Sequence, residues 1–175
     1  MQRYLHYYML GRYEQAQPLY RQAFDGRLEC YGWDSSQTIG AAISLALTLK
    51  KQGCYEEAVP LYRDLWTASC RVNGEKYHRT VLILEDLAFV LAKTKQRDEA
   101  LERYQRLAET YGEDPNKRKR QLQATKNVAI TLWNLGREEE AREKCRGLLE
   151  DYTALYGADH AETADVADLL QQMDE

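Results

Sequence analysis

The chain has 175 residues, 44% of them apolar and 30% charged, with only three prolines and a formal net charge of −4. That composition excludes a disordered or fibrous protein and describes a soluble, helix-rich chain long enough to bury a sizeable core. The acidic balance, with one short basic run that lacks interleaved aromatics, speaks against nucleic acid as a ligand.

Targeting and cofactor signals are equally sparse. The longest weakly polar stretch, Thr38 to Leu49, is too short to cross a bilayer, and Met1 to Leu10 is interrupted by Arg3 and His6, which makes a poor leader. No membrane role is expected, and the chain is read as cytoplasmic. Cys30, Cys54, Cys70 and Cys145 form no Cys-x-x-Cys pair and have no histidine at ligand spacing, so free thiols in a reducing compartment are expected and no metal or other cofactor.

The first element carries the segment Gly-x-Tyr-Glu-x-Ala-x-Pro-Leu-Tyr-Arg at Gly11 to Arg21, and the segment returns at Gly53 to Arg63. Following its alanine gives Ala16, Ala58, Ala100 and Ala141, a period of about 42 residues that makes the chain a repeat array. Each unit divides into two amphipathic stretches, helix A and helix B. In the second unit Ile39, Ala42, Leu45, Ala46 and Leu49 share one face of helix A, and Tyr55, Ala58, Val59, Tyr62, Leu65 and Trp66 form the stripe of helix B. Gly53 between them suits a left-handed helix end, as do Gly11 and Gly136, whereas the third unit has Lys95 there. Ala46, Ala88 and Ala129 in helix A, with the four helix B alanines, permit close helix pairing. Tyr20, Tyr62 and Tyr104 follow four residues after their alanines, and Cys145 takes that place as a core filler in the fourth unit.

Pro18 and Pro60 lie too deep for first-turn prolines, so a late helix start or a slight kink is expected. In the third unit Gly112 follows Ala100 by twelve residues where Gly32, Gly74 and Gly157 follow their alanines by sixteen. A helix B about one turn shorter is expected, followed by Glu113-Asp114-Pro115-Asn116 and a basic segment, Lys117 to Arg120, that either opens an early helix A or forms a longer loop. A localisation signal, an acidic-partner site and a plain solvated loop are all open for that segment. Beyond Arg146 stand eight acids and no lysine or arginine, leaving 24 bases against 20 acids in the remainder; head-to-tail self-association and simple solvated ends both fit this polarity.

The set Ala46, Gly53, Tyr55, Ala58 and Tyr62 resembles the tetratricopeptide repeat. The 42-residue period, with the loop Gly157-x-x-His160-x-x-Thr163, is similar to the longer kinesin-light-chain-like subtype. The resemblance implies an all-α, right-handed superhelix (α-solenoid) of antiparallel helix pairs. Its units span about 1–34, 35–76, 77–116, 117–159 and a partial or capping helix 160–175, all in one domain. Tyr4 falls at the small-residue place of a truncated first helix A, and Gln171 at that of the fifth. The chain is therefore either cut from a longer array or closed by a polar cap from Asp165 to Glu175.

In such folds the A helices line a concave groove. The register carried from the small residues implies a partner-binding set of Ile43, Leu47, Lys50, Lys51, Glu85, Phe89, Lys93, Lys126, Asn127, Ile130, Trp133 and Asn134, with Ser44, Leu82, Asp86 and Gln123 beside them. Leu47, Phe89, Ile130 and Trp133 would floor the groove, and the lysines would meet acids of an extended peptide or helix, with Trp133 the first candidate because nothing else explains it there. Packing of these side chains between neighbouring A helices is the competing reading. The carboxylate clamp for chaperone tails is not matched, since Ile43 with Leu47 and Glu85 with Phe89 stand where Lys and Asn are required. Glu138-Glu139-Glu140 reads as a solvated helix start favoured by the dipole. With no nucleophile or phosphate-loop motif present, the expectation is a non-enzymatic interaction scaffold for a protein or peptide. The alternatives are a self-associating structural segment and, more distantly, a regulatory repeat region of a signalling ATPase.

Overall fold

The computed structural model describes residues 3–112 and 114–174 and is all-helical among them. The elements are α1 (Arg3–Met9), α2 (Tyr13–Tyr31), α3 (Ser36–Gln52), α4 (Tyr55–Asn73), α5 (His78–Lys93), α6 (Arg97–Gly112), a 3₁₀ turn (Pro115–Lys117), α7 (Arg118–Asn134), α8 (Glu138–Tyr156) and α9 (Ala161–Asp174). None of these helices is long and apolar enough to cross a membrane. They form two compact units, one holding α1 to α5 and the other α6 to α9. The Tyr4 side chain and Glu113, both singled out by the sequence, lie outside the described residues, as does Glu175 of the expected cap.

Within each unit, consecutive helices pack through the small residues. Ala46 and Ala88 of helix type A, and Ala16 and Ala58 of type B, are fully buried in the first unit, as are Ala129, Ala100 and Ala141 in the second. A Cβ alone at these points lets the backbones close up, and the bulk is supplied next door by Leu45, Leu87 and Leu65, also fully buried. Tyr20, Tyr62, Tyr104 and Cys145 all lie in the core, and burial pushes the Tyr104 hydroxyl up to about 12.

The turn chemistry follows the glycines. Gly53 adopts φ 77° and the next amide, Cys54 N–H, donates back to Leu49 O at 3.0 Å; Gly136 (φ 75°) and Arg137 repeat the arrangement with Leu132 O. Lys95 takes the same left-handed backbone at φ 60° without being glycine. At the opposite turns, buried threonines tie α3, α5 and α9 to the B helix before each, or to its C-cap. Thr38 donates to Arg27 O at 3.1 Å, Thr80 meets Ser69 Oγ at 2.7 Å, and Thr163 donates to Gly157 O at 2.8 Å. The histidine of the Gly-x-x-His-x-x-Thr loop is a helix cap: His160 Nδ1 accepts from Glu162 N–H at 3.2 Å while its ring stacks on Tyr156.

At two places the sequence left alternatives, and the structure removes one of each. Neither Pro18 nor Pro60 delays its helix, because α2 and α4 start at Tyr13 and Tyr55 and continue through the prolines. The segment Lys117 to Arg120 is not a loop: Lys117 ends the 3₁₀ turn and Arg118 to Arg120 form the first turn of α7. The shorter third helix B is present, α6 having 16 residues where α2, α4 and α8 have 19. Gly112 is its last residue, and the end of the Gln121 side chain lies 2.6 Å from where a Cβ would stand.

Candidate binding cleft between α3 and α5

In the first unit α3 and α5 stand side by side as consecutive A helices, each with its apolar stripe turned to α4 and the cores of the repeats. Their remaining faces border an open cleft of about 540 Å³, lined by Gly40, Ile43, Leu47 and Lys50 from α3, Arg79, Leu82, Ile83, Glu85 and Asp86 from α5, and Tyr62 at its base from α4. Ile43 and Leu47 are half-buried and Leu82 is exposed, so apolar surface remains available for a ligand.

One end of the cleft is closed electrostatically. Lys50 Nζ is paired with Asp86 Oδ1, and the buried Tyr62 hydroxyl donates to Asp86 Oδ2 at 3.0 Å. Burial first, and then the Asp86 charge, push the Tyr62 hydroxyl far above its ordinary range, so it acts as a donor only. Lys50 therefore serves Asp86 and is not the free cation that the sequence suggested. It also lies 5.9 Å from the centre of the Phe89 ring, with Lys93 at 5.5 Å. Phe89 is 37% exposed and set edge-on to Tyr55 at 5.8 Å. Lys51 is exposed.

Arg79 and Glu85 are different. Both border the cleft, and among the described residues neither has an ion-pair or hydrogen-bond partner. Gly40 is the other unexpected member. It sits inside α3, where glycine weakens a helix by about 0.5–1 kcal/mol relative to alanine, and a Cβ built there meets nothing within 4 Å. Its lack of a side chain is what opens the cleft wall, and it also borders a second, more polar hollow of about 370 Å³ between α2 and α3 that includes Arg27 and Ser44. A glycine within a helix was the available signal for it; Arg79 gave none.

The other predicted residues lie on α7 in the second unit. Ile130 and Asn127 are half-buried, and Asn134 and Gln123 are exposed. Lys126 Nζ is 4.0 Å from Asp165. Trp133 has a structural reason to be where it is, contrary to the argument that made it the first candidate: the Arg142 guanidinium covers its ring at 5.3 Å. Arg142 in turn donates to Met173 O at 2.8 Å and pairs with Glu138, Glu139 and Asp174. The basic start of α7 is likewise engaged. Arg118 meets Asp151, Lys119 meets Glu162 at 2.7 Å, Lys117 meets Asp114 and Arg120 lies over Tyr111. These contacts absorb several of the acids that crowd the last thirty residues.

Models of the tetratricopeptide repeat match residues 37–113 and 122–162, together more than half of the chain. No curated protein matches it. Among solved structures, the nearly identical TPR-like repeats of a putative kinesin light chain from Podosopora anserina superpose with a TM-score of 0.79 at 16% identity, over 97% of this chain and 81% of that one. BtubC (BKLC) from P. vanneervenii gives 0.68 at 16% identity, covering 96% and 71%, and MamA (AMB-1) gives 0.57 at 18%, covering 98% and 95%. At these identities the likeness is one of fold, and it agrees with the expected all-α solenoid of antiparallel helix pairs.

Proposed function

The chain belongs to the tetratricopeptide repeat family, and on that premise we propose that it is a non-enzymatic scaffold that receives a peptide segment of a partner protein in the cleft between α3 and α5. A repeat array presents its A helices as a surface for protein–protein contact. The observation that carries the reading is Gly40: a helix-interior glycine with open space above it gives up stability without relieving any clash, which is intelligible if that space is used.

The test is to fill the space. Gly40→Leu adds a Cβ that meets nothing within 4 Å and brings a better helix former, so melting should hold or rise while the cleft narrows. With a photo-crosslinker at Leu47, partners captured by the wild-type chain should be lost from Gly40→Leu, and the crosslinked segment should map to one short stretch of the partner. Undiminished capture by the filled variant would move the binding surface elsewhere. A second reading, self-association, is favoured by Leu5, Met9 and Leu10 on and after α1, of which Met9 is 78% exposed. A sedimentation mass that rises with concentration and falls back in Met9→Lys supports it.

A further inference from the structure

The cleft has apolar walls, but its usable charge is what identifies an occupant. Asp86 is neutralised by Lys50 and capped by the Tyr62 hydroxyl, which leaves one cation, Arg79, and one anion, Glu85, facing the same space without partners among the described residues. The two are six residues apart on α5, about 9 Å along the helix axis at roughly 1.5 Å per residue. A chain extended in the polyproline-II conformation, whose threefold turn returns positions i and i+3 to one face, covers that distance in three residues at about 3.1 Å each. Leu82 lies midway between them on α5, and Leu47 of α3 lines the same cleft.

Resting on the reading of the cleft as a peptide site, we infer that its ligand is an extended segment carrying an acidic and a basic residue three positions apart with an apolar residue between them, the acid on Arg79, the base on Glu85 and the apolar side chain on Leu47 and Leu82. A uniformly acidic peptide is disfavoured, because its second carboxylate would meet Glu85, and Lys50, which lines the same cleft, is already committed to Asp86. The opposed charges also set the direction in which the segment lies, since reversing it would put like charges together at both ends of the cleft.

The experiment is selection from a displayed library of seven-residue peptides with a fixed central leucine and the other six positions randomised, against the wild-type chain, Gly40→Leu, and the charge-exchanged Arg79→Glu, Glu85→Arg variant. The wild-type chain should enrich opposite charges three apart by at least tenfold, in one order along the peptide. The exchanged variant should enrich the reverse order, and Gly40→Leu should enrich neither. A pool that depends on Gly40 but keeps the same charge order on the exchanged variant, or that carries acids on both sides of the leucine, overturns this inference and leaves the cleft reading intact. A pool unchanged by Gly40→Leu, or no enrichment at all, overturns both. Should the exchanged variant lose its helicity, Arg79→Gln and Glu85→Gln separate the two ends: each should erase the preference for one charge only, and retention of both preferences refutes the assignment.

Discussion

The A-helix faces of the two units handle charge in opposite ways. Between α3 and α5, Arg79 and Glu85 have no partners among the described residues and stand beside half-buried Ile43 and Leu47. On α7, every base of the first turn and Lys126 has found an acid or a ring, and Trp133 lies under Arg142. Charges held by neighbours stabilise their own unit, whereas charges left in a cleft cost little to keep and stay available to something else. The distinction teaches where to look for binding in a repeat array: register marks which residues share a face, and pairing decides which of them are free.

The largest expected effect comes from cutting the α7 side of the comparison. Arg142 is 18% exposed at its side chain and holds Met173 O, three carboxylates and the Trp133 ring. Arg142→Ala should lower stability by about 2 kcal/mol in denaturant unfolding, combining a charged hydrogen bond with a cation–π contact. Next, Tyr62→Phe removes the donor from Asp86 Oδ2 at the part-buried base of the cleft and should cost about 1 kcal/mol. Arg79→Ala should change stability by less than about 0.5 kcal/mol. Equal losses from Arg142→Ala and Arg79→Ala would erase the difference between the two faces.

The smallest effect is a pH dependence confined to the paired face. Hydrogen bonding from Lys119 holds the Glu162 carboxyl below its usual value, and Lys117 does the same for Asp114. A depressed carboxyl contributes stability that is present above its unfolded value, about 4.3 for Glu and 3.9 for Asp, and is lost as pH falls through the folded one. Melting temperature followed from pH 7 to pH 3 should therefore decline less steeply in Lys119→Ala than in the wild-type chain. Parallel declines would mean that the Lys119 pair has no folded-state consequence.

Much of the fold was legible because it is carried by residues whose type has one physical explanation at a given spacing. Alanines at about 42-residue intervals marked the close helix contacts, and Gly112 four residues early marked the short α6. At the prolines a late helix start was one of two expectations and does not occur: a missing amide weakens a helix without delaying it when tertiary packing holds both flanks, as at Pro60, whose neighbours Val59 and Leu61 are buried. The run from Lys117 to Arg120 was ambiguous because its partners Asp151 and Glu162 stand 33 and 43 residues away, and no local pattern ties them. In the cleft, helix register named Ile43, Leu47, Lys50 and Glu85. It missed Gly40, which acts by having no side chain, and it overrated Lys50, whose commitment to Asp86 exists only once α3 and α5 are side by side.

The stacking of Arg142 on Trp133 also gives the molecule an internal optical gauge. The same guanidinium grips the carbonyl of Met173 in the last turn of α9, so release of that turn and a change in the surroundings of the indole are one event. With Trp33 and Trp66 replaced by phenylalanine, emission from the remaining tryptophan would time the detachment of a helix it does not itself have to touch.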